Sequence, residues 1–169
     1  MSCLPSHINA TNPLPDVVFG PCQDCGAEWL TGLTCQQKYY ECLAAEFSDP
    51  AFGQVHHLTV PAYHLQHPGG YSGQGMLSFQ NVLSQFLIGN ISPETIRKEQ
   101  QYHLDNKNRN WTFFGSKPSA FTSQQIWTKS ILSVRMEDAS LYCSDITAWA
   151  NSILDESKTL LERWNKEIR

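Results

Sequence analysis

Two thiols two residues apart, Cys22-Gln-Asp-Cys25, are followed at once by Gly26, and four of the chain's six histidines stand within twelve positions at 56, 57, 64 and 67. Thiolate and imidazole are the side chains that close a tetrahedral zinc site, and a Cys-x-x-Cys turn commonly supplies two of the four ligands. A glycine after the second cysteine permits the tight turn that lets both sulfurs face one ion. The spacing therefore predicts a Zn2+ centre, built on a knuckle formed by Cys22 and Cys25. Its second half is drawn from Cys35, His56, His57, His64 and His67. The same Cys-x-x-Cys pair could serve redox chemistry, but the strand and helix context of a thioredoxin-like motif is missing around it.

The rest of the composition bounds the setting. The chain has 169 residues, 41% of them hydrophobic, which is enough for one domain with a real core. A net charge of -4 with scattered basic residues argues against a nucleic-acid or membrane surface as partner. The first residues, Met1-Ser2-Cys3-Leu4-Pro5, lack the charged and apolar regions of a signal peptide. A cytoplasmic protein with reduced cysteines is the expectation, with Cys3 a tail thiol and Cys143 a small packing residue.

The elements that must position these residues read as mostly α. Residues 1–20, rich in proline and small polar residues, form an irregular lead-in, and 21–169 a single zinc-binding helical domain with a long C-terminal helix. Thr34 is placed to cap a helix from Cys35 to about Phe47, striped by Tyr39, Cys42, Leu43 and Phe47 and stopped by Ser48-Asp49-Pro50. A short connection spans 51–54. Thr59 is then placed to cap a helix with Pro61 in its first turn, ending near His67 before Pro68-Gly69-Gly70. Met76 to Ile88 repeats apolar residues at 3 and 4 spacings, and Ser92-Pro93-Glu94 opens a more polar helix. Asn- and Ser-rich residues 105–125 carry Trp111, Phe113, Phe114 and Phe121, an aromatic loop expected to pack on the body or line a groove. Trp127 to Val134 reads as irregular or a short helix. From about Ser140 a long helix carries Ile146, Trp149, Ala150, Ile153, Leu160, Leu161, Trp164 and Ile168 on one side.

The order Cys22-x-x-Cys25-Gly26, Gly32-Leu33-Thr34-Cys35, Glu46, Asp49-Pro50 and His56-x-Leu58-Thr59-Val60-x-x-Tyr63-x-Leu65-Gln66-His67-Pro68 resembles a family of small uncharacterised bacterial proteins with a Cys-Cys-His signature. The likeness covers residues 21 to 75, and more weakly Trp127 and Trp149-Ala150. It implies that Cys22, Cys25, Cys35, His56, Tyr63, Gln66 and His67 are the marked positions and that His57 and His64 vary. It brings no activity with it. It favours Cys22, Cys25, His56 and His67 as the metal ligands, with Cys35 first in reserve, and makes Tyr63 and Gln66 supports that orient an imidazole. One tension attaches to this set. A regular helix over 59–67 separates its ends by about 12 Å, so His56 and His67 share an ion only if the chain before Thr59 folds back; otherwise Cys35 replaces one of them.

Three functions follow from such a centre. The first is a binding or adaptor module with a structural zinc, its counterpart a protein or small molecule that docks on the aromatic loop or the Gly69–Gly75 loop. The second is a zinc-dependent hydrolase with an open metal position and Glu28, Glu46 or His64 as base, although no His-Glu-x-x-His or His-x-Glu…Pro-Cys-x-x-Cys pattern is present. The third is a thiol-based redox or metal sensor, which needs accessible sulfurs.

Overall fold

The structure, a computed structural model, describes residues 20–29, 32–105, 114–115 and 127–167, with the side chains of 100, 103–105 and 163–167 excepted. The lead-in over 1–19 with Cys3, the aromatic residues Trp111, Phe113 and Phe121, and the side chains of Trp164 and Ile168 lie outside the described residues. What is described is mostly helical: α1 (Cys35–Ser48), α2 (Pro50–Gly53), α3 (His56–Gln66), α4 (Gly73–Leu87), α5 (Pro93–Asp105), a 3-10 turn (Ile131–Ser133) and α6 (Ala139–Glu167). Among the described residues the sole β pairing is an isolated antiparallel bridge between Tyr71 and Phe114, and no helix is long and apolar enough to cross a membrane.

Helix α1 begins where its sequence directs. Thr34 has extended backbone, its Oγ1 accepts from the Gln37 amide at 3.1 Å, and the Gln37 side chain accepts from the Thr34 amide at 2.8 Å. This reciprocal box satisfies two amides the helix cannot reach. Asp49 ends α1 and caps the next helix, its Oδ1 accepting from the Ala51 amide at 2.8 Å with Pro50 in the first turn. The stretch expected to be a plain connection is therefore a helical turn, α2. Gly53 lets that turn close on α1: a Cβ there would lie 2.8 Å from the Glu46 carbonyl oxygen. Gly53→Ala is accordingly expected to destabilise the fold by about 1–3 kcal/mol through overpacking. Urea unfolding followed by circular dichroism measures this, and an unchanged midpoint would show that the α1–α2 corner yields freely.

Helix α3 departs most from expectation. It starts at His56, three residues before Thr59, and carries Pro61 inside it. Thr59 does not cap: its hydroxyl is drawn to the Glu46 carboxylate and to the Val55 carbonyl, the latter at 3.2 Å. Pro61 thus removes one amide from an interior turn, a cost of roughly 3 kcal/mol in an isolated helix. Burial of Leu58, Thr59, Pro61, Ala62, Tyr63, Leu65 and Gln66 offsets that cost.

The core lies where α3, α4 and α6 meet. Helix α6 supplies Tyr142, Ile146, Trp149, Ala150, Ile153, Leu154, Leu160 and Leu161, all buried and repeating at 3 and 4 spacings. Across from them stand Leu65 and Ala62 of α3, and Met76 and Leu83 of α4. Gln66, fully buried, ties three segments together. Its Nε2 donates to the Lys129 carbonyl at 2.7 Å, and its Oε1 accepts from Trp149 Nε1 at 3.2 Å. A buried amide must be satisfied in this way. Ser72 caps α4 by accepting from the Gly75 amide at 3.0 Å, so that helix begins one turn earlier than the apolar stripe. Of the expected aromatic loop, Phe114 and Gly115 are described and pack on the body: Phe114 stacks on Tyr71 at 5.3 Å, and the Gly115 amide donates to the Gly70 carbonyl at 2.8 Å.

Candidate metal centre

Four side chains from three segments converge. One ligand atom each from Cys22, Cys25, Cys35 and His67 lie within 4.8 Å of one another, and among the described residues this is the one such group of His, Cys, Asp or Glu. The knuckle brings the first two together. The Gly26 amide donates to the Cys22 carbonyl at 2.8 Å and the Cys22 amide to the Ala27 carbonyl at 3.0 Å, which folds the chain back on itself. Gly26 has φ of 71°, so a side chain there would be strained although the space around it is open.

Cys35 is the first residue of α1, directly after the capping box, at the positive end of the helix dipole. Its Sγ lies 3.5 Å from Cys25 Sγ and accepts from the Trp29 indole Nε1 at 3.2 Å. His67 follows α3, its amide donating to the Tyr63 carbonyl at 2.8 Å. The same carbonyl is 3.1 Å from His67 Nδ1. A carbonyl only accepts, so Nδ1 carries a proton, and in the neutral ring Nε2 is the nitrogen that keeps the lone pair. That Nε2 is buried and has no hydrogen-bond partner.

This donor set fits a tetrahedral metal. Zn–S bonds of about 2.3 Å place two sulfurs about 3.8 Å apart in a tetrahedron, and the observed 3.5 Å between Cys25 and Cys35 with a 4.8 Å ceiling for the group brackets that value. The protonation pattern points the same way. Hydrogen bonds from Cys25 and Cys35 push the Cys22 thiol far down, while the hydrogen bond to Cys22 pushes the Cys25 thiol far up. Burial opposes charge on His67, yet the neighbouring Cys22 and Cys35 sulfurs outweigh it and lift the imidazole to about 9. A divalent cation would let all three sulfurs ionise and return His67 to the neutral form a ligand requires.

Three of the four side chains favoured by resemblance, Cys22, Cys25 and His67, are therefore brought together, and Cys35 completes the group. His56 is not in it. Its Nδ1 lies 2.7 Å from Glu46 Oε2, and eleven residues of helix separate it from His67, about 16 Å at 1.5 Å per residue. His57 packs edge-on against Phe86 at 4.6 Å, with burial holding its pKa below the usual value. His64 sits among aromatic rings, 5.1 Å from Phe79 and 5.0 Å from Tyr71, and burial followed by repulsion from His67 lowers it to about 4. Tyr63 supports the imidazole by its carbonyl and by its ring, which lies 4.4 Å from the His67 ring and 3.9 Å from Tyr39. Gln66 is turned toward Lys129 and Trp149 and orients no ligand.

Of the acids considered as bases, Glu28 is exposed. Glu46 is buried and engaged by His56, Thr59 and the Tyr142 hydroxyl, the last at 2.7 Å. The role of Glu46 went unread in the sequence. The available signal was an acid at the third step of the stripe Tyr39, Cys42, Glu46, the buried face of α1, because a carboxylate on an apolar face requires donors.

No curated protein and no solved structure matches the chain. Residues 20–158 match the model of DUF5946, described as a family of unknown function, and this stretch takes in Cys22, Cys25, Cys35 and His67 and the helices that position them. The chain belongs to that family.

Proposed function

We propose that this is a zinc-binding protein in which Cys22, Cys25, Cys35 and His67 hold one structural Zn2+, and that it acts as a binding or adaptor module. The observation that carries the reading is the buried, unpartnered Nε2 of His67 beside three sulfurs, with Nδ1 already committed to the Tyr63 carbonyl. A backbone carbonyl fixing the tautomer of a ligand histidine is the usual support of a zinc site. Four protein ligands fill the tetrahedron and leave no place for a substrate or a nucleophilic water, and this favours a structural metal over a hydrolytic one. No carboxylate belongs to the ligand group, which further disfavours the hydrolase. The metal would staple the knuckle at 22–25 to the start of α1 and the end of α3. Contact with a protein partner would then fall to exposed aromatics such as Phe47, 77% exposed on α1.

Metal analysis of the purified chain tests the proposal. About one zinc per chain is expected, with X-ray absorption giving three sulfurs near 2.3 Å and one nitrogen near 2.0 Å. Two sulfurs with added oxygen in the first shell would sink the structural reading and turn attention to an open, catalytic metal.

A further inference from the structure

Cys22 is set apart from its three companions. Cys25, Cys35 and His67 are buried, with 6%, 4% and 8% of their surface exposed, whereas Cys22 is only partly buried. Access and a second sulfur within reach are the two conditions for reversible thiol oxidation. Resting on the zinc reading above, we propose that the centre is a hydroperoxide-responsive switch in which Cys22 is oxidised first, Cys25 or Cys35 closes a disulfide onto it, and the metal with its staple is released.

The chemistry balances. The Cys22 sulfur attacks the O–O bond of a hydroperoxide; an S–O bond forms, the O–O bond breaks, and the departing alkoxide takes a proton to become an alcohol. A second cysteine sulfur then attacks the oxidised Cys22; an S–S bond forms, the S–O bond breaks, and hydroxide leaves as water after taking a proton. Two sulfurs give up one electron each, and the peroxide accepts both. The second sulfur is at hand, because the ligand atoms of Cys22, Cys25 and Cys35 already lie within 4.8 Å. Once two thiolates are lost, one cysteine and His67 remain, too few to hold zinc against solvent. The consequence reaches the fold, since Cys35 opens α1 and His67 closes α3. Cys143, also partly buried, lies outside the group with its thiol directed at the Ala51 carbonyl at 3.4 Å, and serves as an internal comparison.

The test uses the full chain, zinc-loaded and reduced, exposed to hydrogen peroxide. Metal release is followed with a chromophoric chelator, and cysteines are mapped by differential alkylation and mass spectrometry. The expected result is release of about one zinc per chain, a disulfide that contains Cys22, modification of Cys22 ahead of Cys143, and recovery on adding a dithiol with zinc. In Cys22→Ser, release from whatever zinc remains bound should slow by at least about tenfold. Should that variant bind no zinc, the order of alkylation in the unaltered chain decides the matter. Zinc retained while Cys143 oxidises would overturn the switch and leave the structural metal standing, as would release accompanied by sulfinic or sulfonic acids without a disulfide. Absence of zinc before any peroxide is added would instead remove the reading on which the switch rests.

Discussion

Cys35→Ser is expected to lower zinc affinity by more than the roughly 10–100-fold that removal of a supporting hydrogen bond produces, while His56→Gln keeps about one zinc per chain. The contrast follows from placement. Cys35 Sγ is 3.5 Å from Cys25 Sγ, whereas His56 is bonded to Glu46 at the far end of α3. Glutamine at 56 keeps a donor for the carboxylate, so the comparison does not rest on an unfolded variant. Competition against a chromophoric chelator gives the affinities. Hydrogen exchange should report the structural consequence in Cys35→Ser, with faster exchange over residues 20–34 and little change in α6, whose core contacts are independent of the metal. If His56→Gln loses its zinc and Cys35→Ser keeps it, the four-residue group described above is the wrong one.

Glu46→Ala is expected to be the most damaging substitution away from the Cys and His group, since each of the two buried hydroxyls left without its acceptor costs about 1–3 kcal/mol. The Glu46 side chain has no solvent exposure, and it receives His56 from α3, Thr59 from the same helix and Tyr142 from α6. Truncation leaves two buried hydroxyls and an imidazole without their acceptor, next to a cavity. Tyr142→Phe removes one donor only and should cost about 1 kcal/mol. Chemical denaturation of the zinc-loaded chains separates the two values. Comparable losses from both substitutions would mean that the carboxylate is not the hub that joins α1, α3 and α6.

Much of this fold is legible in the sequence because its signals are local. The Thr34 cap, the Asp49-Pro50 stop, the Ser92-Pro93 start and the stripe of α6 each depend on residues a few positions apart, and the structure reproduces them, the stripe as far as Leu161. The knuckle is local as well: two thiols and a glycine within five positions specify a turn whatever surrounds it. The start of α3 is different. Thr59 carries every feature of a cap, but its hydroxyl is taken by Glu46, thirteen residues earlier, so the helix runs back to His56.

That single capture decides which side chains can meet. With His56 inside the helix, eleven residues of rigid rise hold it away from His67, and Cys35, carried on the neighbouring helix, reaches the sulfurs instead. By itself the sequence determined which residue types could bind a metal and where most of the helices lie, because short-range sterics and hydrogen bonding govern both. The tertiary structure alone decided the company each histidine keeps, because that depends on a buried carboxylate satisfying its donors across three helices, an energy that no spacing along one segment expresses.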